Sequence, residues 1–150
     1  MDTQPDQSNQ QEKIELRIRT MRILWLAFVL SVVMYFVFTI FVGQNENATP
    51  NNTLSLTLII VALSTVLISF LLKSKLVNRA VEQQQVPMVQ QAYVVTWAIA
   101  EVGALLGLLD FFVTGNPYFY VPMLIAGAGQ LLHYPRREHV ENAAFNRRTL

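Results

Sequence analysis

The sequence predicts an all-α membrane protein, with four transmembrane helices forming two sequential hairpins in an up-down bundle. Two observations lead to this prediction. Of the 150 residues, 53% are hydrophobic and only 14% are charged, whereas a soluble domain usually carries about 25% charged residues. The apolar residues are also concentrated in four long runs, which is the pattern of helices that cross a bilayer.

The same composition excludes several classes of function. The chain has no cysteine, so it cannot form disulfides or cysteine-ligated zinc and iron–sulfur centres. Its formal net charge is only +1, and no strongly basic field points to nucleic acid. The two histidines, His133 and His139, do not provide the facing imidazoles that a haem between spans requires. We therefore expect no metal, no cofactor, no nucleic-acid partner and no enzymatic activity.

The segments follow one another without an internal repeat. Residues 1–12 are rich in Gln, Asn and Asp and are predicted to be a disordered cytoplasmic tail. Residues 13–22 alternate apolar and charged side chains, which alone resembles a strand. They lead directly into an apolar run, so a helical extension at the membrane interface is favoured. A second cytoplasmic tail is predicted at residues 135–150.

The predicted membrane domain covers residues 13–134. A run of about 20 apolar residues matches the roughly 30 Å hydrocarbon core of a bilayer. Polar loops rich in Asn, Gly and Pro separate the runs. The four predicted spans lie at residues 23–42, 54–72, 93–114 and 118–134.

The positions of Lys and Arg predict the orientation. All eleven lie before the first span, between the second and third spans, or after the fourth. The positive-inside bias therefore places both termini and the middle loop in the cytoplasm of a cell whose membrane the chain crosses several times. Membrane lipids are expected partners, together with a possible second copy or another membrane protein. The predicted lipid headgroup anchors are Arg22, Lys73, Arg136 and Arg137.

The third span, YVVTWAIAEVGALLGLLDFFVT, carries a face of small residues. At 100° per residue, Ala100, Gly103, Ala104 and Gly107 fall on one side of the helix. Gly103 and Gly107 form a small-xxx-small pair, which allows the backbone of a neighbouring helix to approach closely. We expect this face to pack against another span.

Glu101 lies near the middle of the third span. Counting 1.5 Å per residue from the cytoplasmic end places it roughly 13 Å deep, level with Ser31, Ser64 and Thr65. An acid at the midplane costs about 2.5–3.5 kcal/mol on insertion scales. We therefore expect a neutral carboxyl that donates a hydrogen bond to one of these hydroxyls. The four residues form a candidate proton or cation site.

Asp110 is predicted near the outer boundary of the same span, within reach of water or loop groups. It is about 13.5 Å along the helix axis from Glu101, so the two acids are not a catalytic dyad. With Thr114, Asn116 and Tyr118 it forms an outer polar cluster. A membrane enzyme would need polar groups converging at one interface, and this is the single such cluster in the sequence.

Two resemblances add to this interpretation. The run TWAIAEVGALLGLLDF resembles the carboxylate-bearing helix of rotary ATPase c subunits, in which an acid is followed by small residues and a glycine. It covers 16 residues, and it implies an ion-carrying role for Glu101 alone. The pattern A-x-x-E-x-G-A-L-x-G together with the exit H-Y-P-R-R-E is similar to a family of small four-helix bacterial membrane proteins without an assigned activity. That similarity implies topology.

The residues thus favour a non-enzymatic membrane protein that acts through helix packing or assembly. The alternative is a proton- or cation-coupled transport component that uses Glu101.

Overall fold

The chain forms an all-α structure, as the sequence predicts. The computed structural model describes residues 4–43 and 50–145, and these residues contain helices and turns but no strand. A short 3-10 turn at Pro117–Phe119 precedes the fourth α-helix. The helices are α1 (Gln4–Val42), α2 (Asn52–Glu82), α3 (Val86–Val113), α4 (Tyr120–Leu132) and α5 (Arg137–Phe145).

Three helical segments are long and apolar enough to cross a membrane: Gln11–Val42, Asn52–Glu82 and Val86–Val113. Large apolar side chains remain exposed along all three, for example Leu30 at 53% and Leu67 at 56%. Apolar exposure on this scale suits hydrocarbon rather than water. The chain therefore has the character of a multi-pass membrane protein.

The predicted fourth span is shorter than expected. Gly115 adopts φ 58° and the following residues form the 3-10 turn, so α4 begins only at Tyr120 and ends at Leu132. Its 13 residues rise about 20 Å, and the 3-10 turn adds about 6 Å. Only three of the described helices therefore have membrane-spanning length.

Side chains of other helices satisfy the carbonyl groups at the end of α4. Trp25 Nε1 donates to the Gln130 carbonyl oxygen at 2.8 Å, and Trp97 Nε1 donates to the His133 carbonyl oxygen at 3.0 Å. Helix ends leave carbonyl groups without partners, which is costly away from water. These two indoles compensate for that cost and hold the end of α4 against α1 and α3.

The third helix is the centre of the bundle. Within the most apolar stretch of each long helix, the share of buried residues is 11% in α1, 28% in α2 and 44% in α3. Hydrogen bonds likewise connect α3 to α1, α2 and α4. The carboxylates of the third predicted span therefore lie on the helix that contacts all the others.

The N-terminal prediction needs a correction. Helix α1 begins at Gln4, so residues 4–12, which were expected to be disordered, continue the helix; residues 1–3 lie outside the described part of the chain. Extending an existing helix adds one hydrogen bond per residue and needs no new nucleus or core. Residues 13–22 are also helical, as favoured, and Ile14, Ile18 and Met21 are buried on one face.

An apolar core lies at the end of the bundle that carries the basic residues. It joins the start of α1 to the end of α2, the start of α3 and α5. Helix α5 belongs to the predicted tail 135–150, of which residues 146–150 are not described. The buried residues of this core include Ile14, Ile18, Met21, Val77, Ala80, Val89, Tyr93, Trp97, Val140 and Ala143. The described part of the tail therefore packs on the bundle.

Candidate functional site

Glu101 connects α3 to α1. The Ser31 and Tyr35 hydroxyls, one turn apart on α1, both donate to Glu101 Oε1, at 2.5 and 2.9 Å. Ser31 Oγ also lies 2.7 Å from the carbonyl oxygen of Phe28. Because a hydroxyl has one hydrogen, Ser31 donates to only one of these oxygens at a time. Glu101 is half-buried, so its carboxyl lies at the edge of the bundle.

Ser64 and Thr65 do not approach this carboxyl. Ser64 Oγ donates to the Ile60 carbonyl oxygen and Thr65 Oγ1 to that of Ala62, both at 2.8 Å within α2. Both hydroxyls therefore donate within their own helix and not to Glu101. Tyr35, which the depth count missed, lies four residues after Ser31, a spacing that places both on one helix face.

Asp110 connects α3 to α2. Its side chain is fully buried at 0% exposure, and Ser55 Oγ donates to Oδ2 at 2.7 Å while Thr114 Oγ1 donates to Oδ1 at 2.6 Å. Asp110 was expected to reach water or loop groups; its full burial contradicts the contact with water, while Thr114, which follows the last residue of α3, does donate to it. The start of α2 covers it, and the hydroxyl of Ser55 takes the place of solvent.

The outer polar cluster joins the two loops at this end of the bundle. The Asn116 side chain donates to Asn52 Oδ1 at 2.8 Å, and the Asn51 backbone N–H donates to the Thr114 carbonyl oxygen at 3.1 Å. Tyr118 contributes its backbone N–H, which donates to Asn116 Oδ1 at 2.9 Å, while its ring is 57% exposed. The cluster thus fixes the α2 start to the α3–α4 connection.

The small face of α3 meets two helices. Ala100, Gly103, Ala104 and Gly107 are all buried. A Cβ added at Gly103 would lie 3.2 Å from Ala126 Cβ of α4 and 3.6 Å from Ala62 Cβ of α2. A Cβ at Gly107 would lie 3.0 Å from the Phe119 carbonyl oxygen. Both glycines are therefore positions of close backbone approach.

The four predicted headgroup anchors differ in their surroundings. Arg22, Arg136 and Arg137 are exposed; the Arg22 guanidinium lies 5.8 Å from the centre of the Tyr134 ring, and Arg137 Nε donates to Glu141 at 2.6 Å. Lys73 is half-buried, with Nζ 4.8 Å from the centre of the buried Tyr93 ring. Lys73 is therefore also a packing residue.

Tyr93 attaches α5 to the bundle through His139. The Tyr93 hydroxyl accepts from the Arg136 backbone N–H at 3.2 Å and lies 2.7 Å from His139 Nδ1. Donation from the hydroxyl to Nδ1 satisfies both groups and requires a neutral imidazole. Burial lowers the pKa of His139, and the positive charges of Lys73 and Arg136 lower it further, against a smaller opposite effect of Glu138.

We expect the attachment of α5 to weaken in acid. Because the folded pKa of His139 is lowered, the unfolded chain binds a proton more readily. The stabilisation is therefore complete above about pH 6.5, the ordinary pKa of histidine, and is lost as the pH falls below it. The protection factors of the α5 amides, that is, the intrinsic exchange rate divided by the observed rate, should fall when the pH is lowered from 7.5 to 5.5 in detergent. In His139→Asn, whose amide oxygen can accept from Tyr93 but does not titrate, the protection factors should not change with pH. If they still fall, His139 is not the cause.

Glu101 thus hydrogen-bonds to α1 and Asp110 to α2, and the two acids share no hydrogen-bond partner. Comparison of the chain with protein-family models, curated proteins and solved structures gave no match.

Proposed function

We propose that the chain is a four-span protein of a bacterial inner membrane, with both termini in the cytoplasm, and that it acts through helix packing without catalysing a reaction. Helix α4 with its preceding 3-10 turn supplies the fourth crossing, about 26 Å long by the rises of the two helix types. A locally thinned bilayer accommodates a short span at modest cost.

Two features of the loops support this topology. The Asn51–Thr114 and Asn52–Asn116 hydrogen bonds bring together the α1–α2 and α3–α4 connections, which both lack Lys and Arg. At the other end, the apolar core brings together the start of α1, the end of α2 and α5, which carry basic residues. One end of the bundle is therefore basic and the other is not, which is the asymmetry of a positive-inside protein.

The main support for a packing function is that the two acids of α3 accept hydrogen bonds from neighbouring helices. Glu101 accepts hydrogen bonds from α1, and Asp110 accepts one from α2. Each acid therefore fixes one neighbour of the central helix: Glu101 Oε1 accepts from two hydroxyls of α1, and Asp110 Oδ2 accepts from the Ser55 hydroxyl of α2. Polar contacts of this kind stabilise helix association in lipid by roughly 1 kcal/mol each. Such a bundle serves as a rigid membrane component, alone or in a larger assembly.

The variant Glu101→Gln tests this role. A glutamine amide oxygen can accept from both Ser31 and Tyr35, so the free energy of unfolding in detergent should change by less than about 1 kcal/mol. Glu101→Leu removes both contacts and should lose about 1–3 kcal/mol, because the half-buried Tyr35 hydroxyl loses its acceptor. The Ser31 hydroxyl can still donate to the Phe28 carbonyl oxygen. Equal stability of the Gln and Leu variants would contradict the packing role.

A second candidate function is proton- or cation-coupled transport through Glu101. Its support is the partial exposure of this carboxyl, in contrast to the sealed Asp110, together with the resemblance of the third span to rotary ATPase c subunits. The same variant separates the two candidates. If Glu101 carries protons, Glu101→Gln should insert and fold normally but abolish proton flux across reconstituted vesicles. If the acid only fastens helices, vesicles with either form should show equal flux.

A further inference from the structure

Helix α1 carries a single stripe that is charged at one end and apolar along the rest. Glu15, Arg22, Val29 and Phe36 are spaced seven residues apart, so each is rotated only about 20° from the one before it. Arg22 immediately precedes the first predicted span, and Val29 lies within it. The stripe therefore passes from the level of the headgroups into the hydrocarbon layer.

The charged end of the stripe lines a groove of about 370 Å³ against α5. The charged residues that line it are Arg19, Arg22, Arg137 and Glu15, with a formal net charge of +2. Within the described part of the chain, no carboxylate lies within ion-pair distance of Arg19 or Arg22, whereas Arg137 pairs with Glu141. Guanidinium groups recognise phosphate through charge-assisted, often paired hydrogen bonds.

The apolar end of the stripe lines a second groove, of about 420 Å³, between α1 and α4. Its walls are aliphatic and aromatic, and Gly127 of α4 leaves it open, with only Val32 Cγ1 within 4 Å of an added Cβ, at 3.7 Å. The lining includes Val29, Val33, Phe36, Leu124, Gly127 and Leu131.

Tyr134 lies in the sequence between residues that line the two grooves. Its ring lies under the Arg22 guanidinium and makes an edge contact with Trp25, with ring centres 5.1 Å apart. Leu131 of the apolar groove precedes it by three residues, and Arg137 of the cationic groove follows it by three. An amphipathic pair of rings at this position is typical of the membrane interface. About 10 Å of helix separates Arg22 from Val29 at 1.5 Å per residue, and a glycerol ester region fits this interval.

We propose that the α1–α4/α5 seam is a binding site for one anionic glycerophospholipid, with its phosphate at Arg19, Arg22 and Arg137 and an acyl chain in the apolar groove. The inference rests on the proposed membrane topology. It goes beyond general headgroup attraction, because the two grooves lie on one stripe and together match both parts of a lipid molecule.

Native mass spectrometry of the full chain, released from micelles containing phosphatidylglycerol or phosphatidylcholine, tests this site. We expect the wild type to retain one phosphatidylglycerol in preference to phosphatidylcholine. The double variant Arg19→Gln/Arg22→Gln should lower its affinity by about tenfold to thirtyfold, the loss of two basic contacts near a membrane surface. The matched control Lys75→Gln/Arg79→Gln removes two exposed cations of α2, on the same predicted side but outside the groove, and should retain the lipid.

The variant Gly127→Leu tests the apolar half at unchanged charge, with Gly127→Ala as its folding control. Leucine should fill the groove and lower phosphatidylglycerol retention severalfold, whereas alanine should not. The site would be overturned if the Arg19/Arg22 and Lys75/Arg79 double variants lost the lipid equally, or if Gly127→Leu retained as much lipid as Gly127→Ala. It would also be overturned if an equal concentration of glycerol phosphate displaced the lipid completely. These results leave the topology intact, whereas a chain that stays monodisperse without detergent would refute the membrane proposal itself.

Discussion

Replacing Gly107 by alanine should destabilise the bundle by about 1–3 kcal/mol, the usual cost of overpacking a tight contact. The added Cβ would lie 2.6 Å from Met123 Cγ, 3.0 Å from the Phe119 carbonyl oxygen and 3.1 Å from the Met123 backbone nitrogen. The methionine side chain can move aside, but the two backbone atoms belong to the turn that starts α4. Accommodating alanine therefore requires α4 to move away from α3. Thermal or denaturant unfolding in a fixed detergent measures the effect.

Gly127→Ala is the matched control, because it makes the same substitution in the bundle, on α4. Its Cβ would meet only Val32 Cγ1 at the ordinary distance of 3.7 Å, so its stability should stay within about 0.5 kcal/mol of the wild type. Gly103→Ala should fall between the two, because its closest neighbour is Ala126 Cβ at 3.2 Å. A Gly107→Ala protein as stable as Gly127→Ala would show that α3 and α4 do not approach as closely as described.

Helical periodicity predicts which residues share a face, and this explains why the glycine face of α3 could be identified from sequence. The spacing of Gly103 and Gly107 determines that they lie together, but it does not reveal which helix they meet. The structure places both α2 and α4 there, since Gly103 is close to Ala62 and Ala126. The identity of a partner depends on the assembly of four helices, which a single helix does not encode.

The count of residues along each span predicts Ser31, Ser64 and Thr65 at the level of Glu101, but it does not predict which side of a distant helix faces the carboxyl. Of these three hydroxyls, that of Ser31 donates to Glu101. The hydroxyls of Ser64 and Thr65 return to their own helix, as hydroxyls in helices commonly do. Tyr35 contacts the carboxyl because its long side chain lets it reach from the next turn of α1.

The core around α5 was not predictable, because its apolar residues are sparse within polar segments. Ile14 and Ile18 on one side, and Val140 and Ala143 on the other, are separated by most of the chain. Each pair alone looks like an ordinary surface helix. Only the return of the chain to the same end of the bundle brings the pairs together and buries them.

Asp110→Ala should be the most damaging change among the polar residues, with an expected loss of about 1–3 kcal/mol. The carboxylate is fully buried and is the acceptor that Ser55 uses to hold α2 against α3, at 2.7 Å. Removing it leaves the Ser55 hydroxyl without this acceptor, while Thr114 keeps a bond to the Asp110 carbonyl oxygen at 2.9 Å. Asp110→Asn should lose less, because the amide can serve both hydroxyls after they rotate.

A double-mutant cycle with Ser55→Ala isolates the contact. If the Ser55–Asp110 hydrogen bond joins the two helices, the double variant should lose less stability than the sum of the single variants, by about 0.5–1.5 kcal/mol. Thr57→Ala is the matched control, since its hydroxyl is exposed and donates to the Thr53 carbonyl oxygen of its own helix at 2.9 Å; its effect should add to that of Asp110→Ala. Additive losses for Ser55 and Asp110 would mean that α2 is held to the central helix by apolar packing alone, and that the buried acid has another use.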